Sequence, residues 1–361
     1  MNNLEDLIKI KNLDTKNALK SIKKLPQQIK QAWQESMAIN FPQNFKTVSN
    51  IVISGMGGST YGARIVKSLY DGAQMTKIPV ELANTYWLPG YVNSDSLVIL
   101  SSYSGNTEET LATAKEAKER EVKIAGITSG GQLADFLRLN NYPAYIFNPI
   151  HNPSAQPRIG VGYMVTGLLG MLAKLGYIPV GKEEIAEATD FLDNKIKFYE
   201  PSNSSENNLA KKLAHTCMNK IPVIIITDFL EGTAYAIRNP FHETAKQFAL
   251  YFAVPELNHH LMEGLSYPPE IKDLLHFIFI DSKIYDSRNA RRMQLTKSVI
   301  EKNKISFESI QLTGKTSLTQ VMELIQLASW TTFYLAMLHD IDPSAIPWVD
   351  YFKKELSKII N

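Results

Sequence analysis

The chain has 361 residues, enough for two ordinary domains, and its 44% hydrophobic and 20% charged residues are typical of a folded globular protein. Its formal net charge of +2 excludes the strong basic field that nucleic-acid-binding proteins carry. The single cysteine, Cys217, excludes an intrachain disulfide and favours a reducing, cytoplasmic setting. The N-terminus has no signal-peptide pattern, and no apolar run approaches about 18 residues, so we expect no membrane span.

Residues 1–40 are predicted to form an N-terminal helical arm. Within it, residues 4–36 carry apolar side chains at helical spacing among many lysines, and Pro26 is expected to break the helix. We expect the apolar side of the arm to pack on a domain surface and the lysines to face solvent.

Strands and helices alternate over residues 41–200, which we interpret as a first domain. Strands are predicted at residues 51–53, 80–82, 97–100, 122–127 and 145–147. Helices are predicted at residues 61–70, 107–119 and 162–175, the last of them apolar and buried. Such alternation is typical of a parallel sheet flanked by helices.

A polar segment, residues 199–208, is the best candidate for a linker. A second alternating block follows it, and we interpret residues 205–361 as a second domain. Its strands are predicted at 221–226, 277–280 and 305–310, and its helices from 232 onwards, at 287–303 and at 317–338. The sequence therefore predicts an α/β fold of two domains, each a mainly parallel sheet flanked by helices.

The most informative stretch is a hydroxyl-rich turn between the predicted strand 97–100 and the predicted helix 107–119. It contains Ser102, Ser104, Gly105 and Thr107. Hydroxyls and free backbone N–H groups at the start of a helix bind anions, most often phosphate. The turn lacks the lysine of a P-loop and the spacing of a dinucleotide fingerprint, which favours a small phosphorylated metabolite over a nucleotide.

A glycine-rich turn follows the predicted strand 51–53. Its residues Gly57, Gly58 and Ser59 can bring backbone close to a ligand and donate a hydrogen bond to it. A plain tight turn between strand and helix explains the same glycines, and this turn alone does not separate the two interpretations.

The two turns together resemble the sugar isomerase (SIS) domain family, whose phosphate loop is matched here by Ser102, Ser104, Gly105, Thr107 and Glu109. The resemblance extends to the bifunctional phosphoglucose/phosphomannose isomerases, which are built from two SIS domains. The further matching segments are Gln156-Pro157-Arg158, residues 239–246, residues 255–259, and Asp342-Pro343 followed by Phe352-Lys353.

The resemblance implies an aldose–ketose isomerase that moves a proton between C1 and C2 of a hexose 6-phosphate through a cis-enediol, without a metal or other cofactor. It would interconvert glucose 6-phosphate and fructose 6-phosphate, and mannose 6-phosphate as well, because C2 epimers share one enediol. Glu243 would be the base, and Arg158 would stabilise the enediolate. The phosphate would bind at Gly57, Gly58, Ser59, Ser102, Ser104 and Thr107.

The resemblance also implies that His259 and Lys353 open the sugar ring. His259 would come from the partner subunit, which implies a homodimer with shared active sites. The register of the matching segment favours His259 over the adjacent His260, whereas the choice between Lys353 and the adjacent Lys354 stays open.

Other interpretations stay open on the residues alone. Without the resemblance, Glu243 and Arg158 are more simply a helix-surface glutamate and a salt-bridged arginine. A catalytically silent sugar-phosphate regulator of the same fold would keep the hydroxyl-rich turn and could dispense with Glu243, Arg158 and His259. Pro240 is expected to interrupt the helix ahead of Glu243. The histidine spacings match no zinc motif, so no metal site is predicted.

Overall fold

The computed structural model describes residues 4–71, 76 and 78–359. Two parallel sheets, each flanked by helices, form its framework, which confirms the predicted α/β class. Residues 1–3 of the predicted arm, residues 72–75 and 77 of the predicted first domain, and residues 360–361 of the predicted second domain lie outside the described residues.

Three helices form the N-terminal arm: α1 (Leu7–Leu13), α2 (Ala18–Lys23) and α3 (Leu25–Met37). The helical path is interrupted at Lys24, and Pro26 lies in the first turn of α3, where an N–H has no intrahelical partner to lose. Ile29 and Ala32 on α3 are fully buried, so α3 packs against the rest of the protein.

The first sheet has the strand order β2-β1-β3-β4-β5. Its strands are β1 (Asn50–Gly55), β2 (Val80–Ala83), β3 (Ser96–Ser101), β4 (Lys123–Thr128) and β5 (Ala144–Ile146). The helices around it are α4 (Tyr61–Val66), α5 (Glu108–Glu119), α6 (Gly131–Leu139), α7 (Val161–Leu175) and α8 (Lys182–Tyr199). Every residue of β3 is buried, because helices cover both faces of the sheet.

The second sheet has the order β7-β6-β8-β9. Its strands are β6 (Ile221–Thr227), β7 (Leu250–Val254), β8 (Leu275–Asp281) and β9 (Ser306–Gln311). Its helices are α9 (Leu209–Cys217), α10 (Glu231–Glu243), α11 (Ile271–Leu274), α12 (Ser287–Lys302), α13 (Ser317–Leu338) and α14 (Pro347–Ile359). The predicted linker begins at Tyr199, the last residue of α8, and its remaining residues, 200–208, form neither helix nor strand before α9.

The structure corrects the expectation for Pro240. Helix α10 continues through Pro240 to Glu243, and the N–H of Thr244 still bonds to the carbonyl of Pro240. The proline removes one N–H from the helix without ending it, because packing on both sides holds the segment in place. Strand β7 was not predicted from the sequence, although Leu250–Val254 is an apolar run like those of the other strands.

Helix α13 is long and apolar enough to cross a membrane by length and composition, a feature that the sequence analysis did not expect. The apolar window is 94% buried inside the structure, so α13 is a core helix of this fold.

The two sheets are joined through α4 and α10, which cross at Gly232. A Cβ atom at Gly232 would lie 2.0 Å from the carbonyl oxygen of Arg64, so only glycine allows this close approach. The guanidinium of Arg64 also stacks on Tyr235 of α10, 3.9 Å from the ring centroid. This crossing fixes the direction in which α10 carries Glu243 towards the first sheet.

Candidate active site

The hydroxyl-rich turn connects the end of β3 to the start of α5. Ser102 is fully buried; its Oγ lies 2.7 Å from Oγ1 of Thr107 and accepts the N–H of Gly105 at 3.1 Å. Thr107 precedes α5, and within the described structure its side chain caps no N–H of that helix. The first-turn N–H groups of α5 are therefore left to an anion, and the hydroxyls of Ser102 and Thr107 lie beside them.

Gly105 allows the turn to close. Its φ is +70°, and a Cβ at this position would lie 1.8 Å from the carbonyl oxygen of Gly130. The preceding residue, Ser104, is exposed, and its Oγ accepts the N–H of Asn106 at 3.3 Å. The turn thus combines a glycine, which this backbone conformation favours, with the exposed hydroxyl of Ser104 and the less exposed hydroxyls of Ser102 and Thr107.

The glycine-rich turn joins the hydroxyl-rich turn through Ser59, whose Oγ accepts the N–H of Tyr103 at 2.9 Å. Gly57 has a φ of +51°, which favours glycine. A Cβ at Gly58 would lie 3.6 Å from the backbone nitrogen of Arg158. The predicted phosphate turns therefore lie against the segment that carries Arg158.

Arg158 is almost fully buried, with 3% of its surface exposed, and all five of its N–H groups have acceptors. Burial lowers the pKa of Arg158 from its usual value, and the Glu243 carboxylate acts against that shift. The acceptors are Thr244 Oγ1 (3.0 Å from Nε), Gln156 Oε1 and Glu243 Oε2 (3.0 and 3.5 Å from Nη1), and the carbonyls of Pro343 and Ser344 (2.7 and 3.1 Å from Nη2).

Glu243 is the last residue of α10, and its side chain is 32% exposed. Its 3.5 Å contact with Arg158 is the longest of the five that the guanidinium makes. A carboxylate that faces both solvent and a buried cation can accept a proton from a bound molecule while the cation stabilises the resulting negative charge.

Lys246 is a residue of this cluster that the sequence analysis did not assign. Its Nζ donates to the carbonyl of Asp342 at 2.7 Å and to the carbonyl of Thr244 at 3.3 Å. Burial, followed by the charge of Arg158, lowers the pKa of Lys246 to about 8. The signal available in the sequence was its place at the end of the matching segment 239–246.

The structure does not bring His259 and Lys353 to this cluster within one chain. His259 ends an exposed turn after β7, and Lys353 lies on an exposed part of α14. In the part of the chain that the structure describes, neither makes a hydrogen bond or ion pair with Glu243 or Arg158. The carboxylate of Asp350, also on α14, acts to raise the pKa of Arg158, so α14 begins near the cluster.

A cavity of about 1100 Å³ lies at the carboxyl edge of the second sheet, away from the predicted site residues. The turn before α12 there corresponds in position to the hydroxyl-rich turn of the first sheet. The carboxylate of Asp228 accepts the N–H of Asp286 at 3.0 Å and the side-chain amide of Asn289 at 2.5 Å. The carboxylate of Asp286 itself caps α12 by accepting the N–H of Arg288 at 2.8 Å, so the helix start already holds a negative charge that would repel a phosphate. Among the described residues, no group of three or more His, Cys, Asp or Glu side chains could hold a metal ion.

Comparison with known proteins identifies relatives along most of the chain. Residues 45–139 match the SIS domain family, and residues 206–356 match the family described as bacterial phospho-glucose isomerase C-terminal SIS domain. A bifunctional phosphoglucose/phosphomannose isomerase of Caldicellulosiruptor bescii is 34% identical, over 94% of this chain and 98% of its own length. The enzyme of the same name from Thermoplasma acidophilum is 31% identical, over 88% of this chain and 94% of its own length.

Solved structures show the same fold. Hypothetical protein TT0462 from Thermus thermophilus superposes with a TM-score of 0.74 at 14% identity, covering 95% of this chain and 91% of that one. A glucose-6-phosphate isomerase like protein from the same organism superposes with a TM-score of 0.61 at 18% identity, covering 96% of this chain and 99% of that one. At these identities the likeness concerns the fold alone.

Replacing Thr244 by valine tests whether the guanidinium depends on its acceptors. Thr244→Val keeps the shape of the side chain but leaves the Nε–H of Arg158 without an acceptor, so we expect a loss of about 1–3 kcal/mol in the free energy of unfolding. Chemical denaturation measures it. Thr244→Ser should retain most of the stability, and Thr216→Val, at an exposed site on α9, is the matched control. Equal stability of Thr244→Val and wild type would contradict the assignment.

Proposed function

The chain belongs to the family of bifunctional phosphoglucose/phosphomannose isomerases, and we propose that Glu243 and Arg158 form the reaction centre with which it isomerises hexose 6-phosphates. The observation that carries this proposal is the contact between a buried arginine and a partly exposed glutamate beside two turns suited to phosphate. Isomerisation between aldose and ketose requires one base near C1 and C2 and a positive charge near O1 and O2.

Substrate binding begins with the phosphate group. Its oxygens would accept hydrogen bonds from the first-turn N–H groups of α5, from the hydroxyls of Ser59, Ser102, Ser104 and Thr107, and from the backbone at Gly57 and Gly58. The contact of Gly58 with the Arg158 backbone supports this placement, because the sugar chain can then extend from the phosphate turns towards Glu243.

Proton transfer would follow ring opening. Glu243 removes the proton from C2 of the open aldose and returns it to C1, passing through the cis-enediol. One Nη1–H of Arg158 makes the 3.5 Å contact with Glu243. Because a hydrogen bond of that length is weak, the same N–H can donate to a substrate oxygen instead with little loss of free energy. The buried cation then stabilises the charge that develops on that oxygen. Because C2 is planar in the enediol, return of the proton to either face would give glucose or mannose 6-phosphate.

A homodimer would complete this site. His259 is exposed, and among the described residues it makes no hydrogen bond or ion pair with Glu243 of its own chain. Both facts fit a role in the partner's site. Helix α14 presents several aromatic side chains to solvent, with exposed fractions of 81% for Trp348, 59% for Tyr351 and 63% for Phe352. A contiguous exposed apolar face of this kind marks an interaction surface, and Lys353 lies next to it. A cytoplasmic setting, suggested by the single cysteine, completes the proposal.

A product assay tests the substrate range. We expect purified protein supplied with fructose 6-phosphate to yield both glucose 6-phosphate and mannose 6-phosphate, at rates that a metal chelator leaves unchanged. Separate enzymatic detection of each product measures both rates, and Glu243→Gln should abolish both while sugar-phosphate binding persists. Formation of glucose 6-phosphate alone would contradict the mannose activity. Binding without turnover by the wild-type protein would instead support the silent regulator.

Mixing two inactive variants tests the shared site. If Glu243 and His259 come from different subunits, a dimer of one Glu243→Gln chain and one His259→Ala chain contains one intact site. Random reassociation after mild dissociation should therefore restore about a quarter of the wild-type activity, since half of the dimers are mixed and half of their sites are intact. Each variant reassociated with itself is the control. No recovery, despite mixed dimers detected by mass spectrometry, would show that both residues serve the same chain's site.

A further inference from the structure

Isomerisation moves a second proton, between O1 and O2, that Glu243 alone does not account for. As the C2 proton leaves, O1 of the aldehyde must gain a proton, and O2 must lose one before the ketose is complete. Arg158 is unsuited to this task, because a guanidinium does not release a proton near neutral pH. All five of its N–H groups are already hydrogen-bonded as well.

Lys246 is placed next to both members of the reaction centre. Its ammonium group donates a hydrogen bond to the carbonyl of Asp342, and the guanidinium of Arg158 donates to the next two carbonyls, those of Pro343 and Ser344. The two cations therefore hold consecutive positions of one segment. Of the three protons on Nζ, two have acceptors among the described residues, and one is left for a bound molecule.

The backbone at Lys246 supports a role for its side chain. Its φ is +53°, in the left-handed region where a helix end usually has glycine. A lysine costs more free energy than glycine in this conformation, and such positions are concentrated at functional sites. The N–H of the next residue, Gln247, bonds back to the carbonyl of Phe241 in α10 at 2.8 Å, so the turn keeps the ammonium within electrostatic reach of Glu243.

We propose that Lys246 is a further catalytic residue, which carries the proton between O1 and O2 of the substrate. As Glu243 takes the proton from C2, the C1=C2 bond forms, the C1=O bond becomes single, and the Lys246 ammonium gives a proton to O1. The neutral amine then takes the proton from O2–H, the C2=O bond forms, and C1 takes up the proton that Glu243 removed from C2. Both residues return to their starting states. This step rests on the proposed role of Glu243.

The charges around Lys246 suit a group that must both give and take a proton. Burial and Arg158 lower its pKa to about 8, and the carboxylates of Asp342 and Glu243 oppose that shift. These three charged groups face it from the segments packed around it: the loop before α7, the end of α10 and the segment before α14. In either direction the first step needs the ammonium form, so turnover should fall as pH rises through about 8.

Two substitutions separate proton transfer from simple support. Lys246→Arg can still donate to the carbonyls of Thr244 and Asp342 but does not release a proton, and Lys246→Met does neither. We expect kcat for fructose 6-phosphate to fall by at least about 100-fold in both, with KM changed by less than about threefold. The small residual rate of Lys246→Arg should not decline at alkaline pH. Lys123→Arg and Lys123→Met are the matched controls, because that ammonium also donates to a backbone carbonyl, at the opposite edge of the first sheet.

The outcomes are distinct. A wild-type protein without isomerase activity would overturn the proposed function and this inference together. If the wild type is active, and Glu243→Gln inactivates it but Lys246→Arg does not, the role of Lys246 alone is overturned. Activity of the arginine variant would show that only the hydrogen bonds to the carbonyls matter. Thermal unfolding of each variant confirms that it is folded at the assay temperature. If Lys246→Arg is unstable, the pH profile of kcat in the wild type decides, since a rate that is flat through the pKa of Lys246 contradicts the inference.

Discussion

The structure around the site depends on the buried guanidinium of Arg158. A buried charge is costly unless it is paired and fully hydrogen-bonded, so the five acceptors must be present together. They come from three separate parts of the chain: Gln156 in the same loop, Glu243 and Thr244 at the end of α10, and the carbonyls before α14. Satisfying this one cation therefore brings the loop before α7, the end of α10 and the segment before α14 together around the proposed reaction centre.

The same geometry explains why the proposed site lies at the first sheet and not at the second. At the first sheet the start of α5 is left open, with hydroxyls beside it and Arg158 behind the neighbouring turn. At the second sheet the carboxylate of Asp286 already caps the start of α12, and the carboxylate of Asp228 bonds to the backbone N–H of Asp286. The second domain instead contributes α10, whose crossing with α4 at Gly232 directs Glu243 to the first sheet. Under the proposed function, turns of the first sheet bind the anion and α10 supplies the group that transfers the proton.

Local features of the site could be predicted from the sequence, and its tertiary pairings could not. The strands follow from apolar runs, and the phosphate turns follow from hydroxyls and glycines within a few residues of one another. The contact of Arg158 with Glu243 spans 85 residues, so only the family resemblance anticipated a joint role. Lys246 was not predicted because its lowered pKa arises from burial and from Arg158, and its hydrogen bond reaches Asp342, both of which are distant in the sequence. The helix through Pro240 was mispredicted because tertiary packing overrides the local preference of proline.

The most direct test of this account replaces Arg158 by lysine and measures stability and turnover in the same preparation. Lysine keeps the charge but has three donors in place of five, so at least two buried acceptors lose their partner. We predict that the free energy of unfolding falls by at least about 3 kcal/mol, and that kcat falls with it, because each hydrogen bond from a charged donor contributes about 1.5–3 kcal/mol. An Arg158→Lys protein with wild-type stability would contradict the claim that the guanidinium assembles the site.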